Sequence, residues 1–180
     1  MSNLITITRR AKEEAKKVLA NFNRVLGEQI DVCSIADFYG IEIKEKKFES
    51  DNISGLIKKG KNNKSTFIIV NENDAKVRQR FTIAHEIAHY ILHSSDTIHI
   101  DESQMTGLVH FRNSESSKAT KIKEIEANQF AAELLMPSDE IRNLVDIKIK
   151  EIGSLEDVIS DLAEQYNVSP ASMTIKINSL

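Results

Sequence analysis

The stretch from Phe81 to His93 reads FTIAHEIAHYILH. Apart from Thr82, Tyr90, three histidines and one glutamate, every residue in it is apolar. Polar groups inside an apolar helix are expensive to bury unless something satisfies them. His85, Glu86 and His89 stand in the spacing HExxH. On a helix, positions i and i+4 share one face a turn apart, so both imidazoles can reach one metal ion. The glutamate between them can serve as a general base towards water. At helical pitch, Thr82, His85, Glu86, His89 and His93 fall in one stripe about 100° wide. Ile83, Ala84, Ile87, Ala88, Ile91 and Leu92 cover the remainder. The pattern predicts a line of functional groups cut into a buried helix.

A catalytic zinc needs a third protein ligand and an open fourth position. His93 does not meet that need, because positions i, i+4 and i+8 climb about 12 Å along one helix. The segment KEIEANQFAAELLMP, residues 123–137, is the better source. On a helical projection Glu126, Gln129 and Glu133 share a narrow polar face, expected to meet solvent. Glu124 falls instead with Asn128, Ala131 and Leu135, and a carboxylate among small and apolar residues wants a cationic partner. Glu124 is therefore favoured over Glu126 as the third ligand, with Asn128 one turn on to orient a ligand histidine. In this scheme His85, His89 and Glu124 hold Zn2+, and Glu86 moves a proton from water to the leaving amine. A donor for the tetrahedral oxyanion is also expected. The projection turns Tyr90 to the other side of the helix and leaves His93, His99 and His110 as candidates. Zinc is the default, and two histidines with a carboxylate also suit manganese or iron.

The elements that must position these groups follow from periodicity. Residues 9–26 read as an amphipathic helix with Ala11, Ala15, Val18, Leu19, Phe22 and Val25 on one face. Asp31 can cap a short helix to Tyr39, ended by Gly40. The period then shifts towards two: IEIKEKKFE, ISGLIKKG and STFIIVN predict a small, mostly antiparallel sheet, with Lys58–Lys64 at a hairpin turn. The motif helix follows, capped by Asn73 or Asp74. A polar loop of some 25 residues is expected from Ser94 to Thr120. Helices are predicted at 121–136, from Ser138 or Asp139, from Ser154 to Tyr166, and from Ser169 with Pro170 at its first position. Helices, a sheet and then helices define an α+β fold. We expect one domain over 1–180, with sheet and metal site in 31–137 and a helical subdomain in 138–180.

Composition narrows the function. The chain has 180 residues, 41% hydrophobic and 28% charged, enough for a real core. A net charge of −3 with a pI near 6.0 gives no electrostatic case for direct nucleic-acid binding. The single cysteine, Cys33, excludes an internal disulfide or a CxxC metal site and reads as a small buried hydrophobe. No secretory pattern opens the chain and no apolar run approaches the ~20 residues of a membrane span. The expected setting is cytoplasmic.

The pair RQRFTIAHEIAHYILH and EIEANQFAAELLMP resembles the ImmA/IrrE family of metallopeptidases. The similarity is strongest over 66–137 and extends more weakly through DVCSIADFYGIEI and NVSPASM. The resemblance implies a zincin-like, HExxH-plus-glutamate (gluzincin-like) site, with His85, His89 and Glu124 as ligands and Glu86 as base. It further implies a protein substrate, commonly a helix-turn-helix repressor or antitoxin, whose cleavage derepresses genes. Two departures stand out: Ala88 occupies a position where the family often has glycine, and only about 30 residues precede DVCSIADFYG, too few for a fused helix-turn-helix domain. A repressor target would then be a separate chain. STFIIV is expected to form an edge strand beside the cleft, where Phe67, Ile68, Ile69 and Val70 could pair with an extended substrate. The competing reading is a regulator without catalysis, whose metal is structural and which sequesters its repressor or antitoxin.

Overall fold

The structure, a computed structural model, describes residues 2–49, 53–58, 65–93, 98–102 and 114–180. In chain order these form α1 (Ser2–Leu19), α2 (Val32–Phe38), β1 (Ile41–Lys46), β2 (Ile53–Lys58), β3 (Thr66–Asn71) and α3 (Lys76–Leu92). There follow β4 (Ile98–Glu102), α4 (Ser114–Leu135), α5 (Ser138–Ile152), α6 (Leu155–Gln165) and α7 (Pro170–Asn178). The fold is α+β, with a helical C-terminal half.

The sheet runs in the order β1-β3-β2-β4. β1 pairs parallel to β3, while β2 pairs antiparallel to both β3 and β4. The strand expected at an edge, carrying Phe67, Ile68, Ile69 and Val70, is therefore interior. Its main chain is taken up by β1 from Ile41↔Thr66 to Lys46↔Asn71, and by β2 from Gly55↔Val70 to Lys58↔Phe67. An extended substrate has no free main-chain groups to pair with there. Its faces alternate all the same, with Ile68 and Val70 buried and Phe67 and Ile69 part-exposed. Among the described residues β1 and β4 are the outer strands. β4 itself falls where a polar loop was expected, and α4 begins at Ser114, so the predicted 25-residue loop is interrupted by structure. The expected turn at 59–64 lies outside the described residues.

Helix α3 lies on the sheet over β2 and β3. Its first turn is held without a side-chain cap at Ala75, in place of the expected Asn73 or Asp74. Gln79 fixes the preceding turn, donating from Nε2 to the carbonyls of Asn71 (3.0 Å) and Asp74 (3.1 Å). The contact between α3 and β2 is close enough that Gly55 is required. A methyl there would fall 2.4 Å from Thr82 Cγ2 and 2.9 Å from the Ile69 carbonyl. Arg80 ties the same helix to the far half of the molecule, donating to the carbonyls of Ile30, Tyr166 and Asn167.

Helix α1 buries Ala11, Ala15, Val18 and Leu19 against α4. It stops at Leu19 instead of reaching 26, because the Asn21 and Phe22 amides close on Val18 and Leu19 in the tighter i to i−3 pattern. Val25 is consequently exposed. Asp31 caps α2, accepting from the amides of Cys33 and Ser34, and Gly40 ends it at φ +68°. α2 buries Val32, Ile35 and Ala36, which turns Cys33 outward: it is exposed, not a core residue.

Helix α4 packs against α1 on one side and α3 on the other. Pro137 precedes α5, whose first amide, Ser138, donates to Glu133 at 3.0 Å. Ser154 and Ser169 cap α6 and α7 through their hydroxyls, and Pro170 opens α7. The Lys176 ammonium on α7 reaches Glu133 on α4 at 2.7 Å, and both side chains are buried. No helix among the described residues is long and apolar enough to cross a membrane.

Candidate metal centre

The buried histidine helix and α4 bring three acceptor groups to one point. His85 Nε2 lies 3.0 Å from His89 Nε2 and 3.3 Å from Glu124 Oε2, and His89 Nε2 lies 3.5 Å from Glu124 Oε1. The side chains of His85 and His89 are 3% and 1% exposed, and that of Glu124 is 20% exposed. The two imidazoles are therefore buried, and Glu124 is the member that reaches solvent. Phe81, one turn before His85, sets its ring 6.4 Å from the imidazole.

Chemistry decides what belongs between these atoms. Asn128 Oδ1 accepts from His85 Nδ1 at 3.0 Å, which leaves a lone pair on His85 Nε2. That lone pair faces a carboxylate and a second imidazole nitrogen, so the arrangement calls for a cation. Tetrahedral zinc with bonds of ~2.0–2.1 Å holds its ligand atoms about 3.4 Å apart. The two imidazole nitrogens, 3.0 Å apart, and their separations of 3.3 and 3.5 Å from the two different Glu124 oxygens lie near that spacing. Among the described residues these three form the group able to hold a metal ion.

The remaining candidates sort as follows. Glu86 is fully buried beside His85 on α3, as is Thr82. Asn128 contacts His85 as just described, although its residue is otherwise exposed. His93 does not join the cluster; it is buried one turn beyond His89, with Nδ1 3.3 Å from His89 Nδ1 and Nε2 2.8 Å from Glu126 Oε2. Tyr90 packs against Tyr39, away from the site. His99 lies in β4, and His110 lies outside the described residues.

Glu126 corrects the projection. Helical projection alone places it in solvent together with Glu133, yet the two are 6% and 0% exposed. A helix packed on both sides has two buried faces, and Glu126 points into the seam among α1, α3 and α4, where Arg10 lies 3.6 Å away. No periodicity within α4 carries that information. The only hint in the sequence was the unexplained His93 at the end of the motif helix.

A mixed sheet under a helix bearing two histidines, closed by a glutamate from a second helix, is an architecture able to hold a divalent ion. The chain belongs to the peptidase M78 family, described as the IrrE N-terminal-like domain, whose model matches residues 36–178. It is 31% identical over 105 residues to the radiation response metalloprotease IrrE of Deinococcus deserti, a match covering 58% of this chain and 33% of that protein. A Mycobacterium tuberculosis transcriptional regulator shares the fold, with a TM-score of 0.56 and 19% identity over 92% of this chain and 45% of that one. The chain thus spans less than half the length of either relative.

Proposed function

We propose that this protein is a zinc-dependent endopeptidase that cleaves a regulatory protein in the cytoplasm, a helix-turn-helix repressor or an antitoxin, and so derepresses genes. The observation that carries the reading is the convergence of His85, His89 and Glu124, two buried imidazoles and a partly exposed carboxylate. Membership in a peptidase family and the likeness to a protein named a metalloprotease support it.

In this reading His85, His89 and Glu124 hold the ion, with Asn128 fixing the His85 ring. When bound, a divalent ion would supply Lewis-acid chemistry there, lowering the pKa of water and polarising a carbonyl. Glu86 would accept a proton from water and pass it to the leaving amine. The burial of both imidazoles keeps their rings fixed, so little reorganisation is needed when the substrate arrives.

The test compares wild type with Glu86→Gln. Both are loaded with zinc and expressed in cells, and newly formed protein N-termini are mapped. The reading predicts a new N-terminus inside a helix-turn-helix regulator or antitoxin with wild type, absent with Glu86→Gln. If both forms hold the same regulator intact and relieve repression equally, the protein acts by sequestration and the peptidase reading is wrong.

A further inference from the structure

We infer that Glu126 and His93 are positioning residues that set the His89 ring for metal binding, anchored from the first helix by Arg10. The inference rests on the metal site proposed above. Reading inwards from the surface, Arg10 Nη1 on α1 lies 3.6 Å from Glu126 Oε1 on α4. Glu126 Oε2 lies 2.8 Å from His93 Nε2, His93 Nδ1 lies 3.3 Å from His89 Nδ1, and His89 Nε2 faces Glu124.

The direction of this chain follows from what each group can do. A carboxylate only accepts, so His93 Nε2 donates to Glu126. With His93 in its neutral form, which carries one proton, Nδ1 is then an acceptor. His89 Nδ1 therefore donates to it, and the lone pair of His89 is left on Nε2, the atom that meets His85 and Glu124. Asn128 imposes the same choice on His85, accepting from its Nδ1. The two ligand histidines are thus set by separate devices: a single amide for His85, and a buried histidine–carboxylate pair for His89.

Burial argues that the device is built in. His93 and Glu126 are 7% and 6% exposed, while Arg10, the outermost member, is 60% exposed at its side chain. A buried carboxylate is retained at a cost unless it is paired and hydrogen-bonded. Here its two oxygens are divided between His93 and Arg10.

The test measures zinc affinity by competition with a chromophoric chelator, and the visible absorption spectrum of the cobalt-loaded protein, in wild type, Glu126→Leu, Glu126→Gln and His93→Leu. Loss of a hydrogen-bonded partner behind a ligand histidine typically costs 10–100-fold in metal affinity. We expect that loss, with an altered cobalt spectrum, for Glu126→Leu and His93→Leu. Glu126→Gln keeps an acceptor oxygen and should stay within about threefold of wild type. Should Glu126→Leu fail to fold, His93→Leu against Glu126→Gln carries the comparison. If wild type binds zinc and all variants bind it equally, with unchanged cobalt spectra, the positioning role is refuted. If wild type binds no metal, the metal-site reading itself fails, a different outcome.

Discussion

Lys176→Met tests how the C-terminal helix is fastened to the helix that supplies Glu124. The Lys176 ammonium lies 2.7 Å from Glu133 Oε2 and 2.8 Å from Ser138 Oγ, with Lys176 4% exposed and Glu133 fully buried. Methionine fills much of the same volume but leaves the carboxylate without its counter-charge. Breaking a buried pair in this way costs about 3–5 kcal/mol. The lower end is expected here, because the Ser138 amide and hydroxyl still donate to Glu133. At roughly 2–4 °C per kcal/mol for a chain of this size, ~3 kcal/mol corresponds to a fall in Tm of about 6–12 °C. Thermal unfolding followed by circular dichroism at neutral pH measures it. The double variant Glu133→Gln/Lys176→Met removes both charges while keeping an acceptor oxygen for Ser138, and should recover most of the loss. Acidification supplies a second readout. Burial works against the Glu133 charge, but hydrogen bonds from Lys176 and Ser138 outweigh it and hold the carboxyl below its ordinary range. The folded value therefore lies under the unfolded one. The contribution is present above the ordinary glutamate range and disappears as pH falls through the folded value. The reasoning is refuted if Lys176→Met melts within about 2 °C of wild type, or if the double variant is no more stable than the single.

Two further predictions concern local structure. Asp31→Ala removes the α2 cap and should cost ~1 kcal/mol near neutral pH in urea unfolding. The Ser34 hydroxyl, then the Ser34 and Cys33 amides, hold the Asp31 carboxyl below its ordinary range, so the gap to wild type should close as pH falls through the folded value. Gly55→Ala forces a methyl against Thr82 and the Ile69 carbonyl and should destabilise by about 1–3 kcal/mol. Because Thr82 lies one turn before the HExxH pair on the same helix, the variant should also bind zinc more weakly than wild type in a chelator competition.

Residues whose meaning is local were legible in the sequence. The caps at Asp31, Ser154 and Ser169, the glycine stop at Gly40 and the amphipathic face of α1 all depend on neighbours within a few positions. The grouping of His85, His89 and Glu124 was also accessible, because helical pitch fixes the first two and an apolar setting singles out the third. What escaped depends on partners far along the chain. Glu133 finds Lys176 on α7, Glu126 finds Arg10 on α1, and each carboxylate looks like a solvent residue within α4 alone. The apolar run of β3 announced a strand but not which strands flank it. Residues 98–102 are too few to signal a strand without β2 beside them.

Metal binding at this one site is tested most directly by elemental analysis of the purified protein after exposure to zinc at neutral pH. Wild type and the surface control Glu156→Ala should each carry about one zinc per chain, and Glu124→Ala should carry none. A wild-type protein without metal, or a Glu124→Ala variant that keeps a full equivalent, would contradict it.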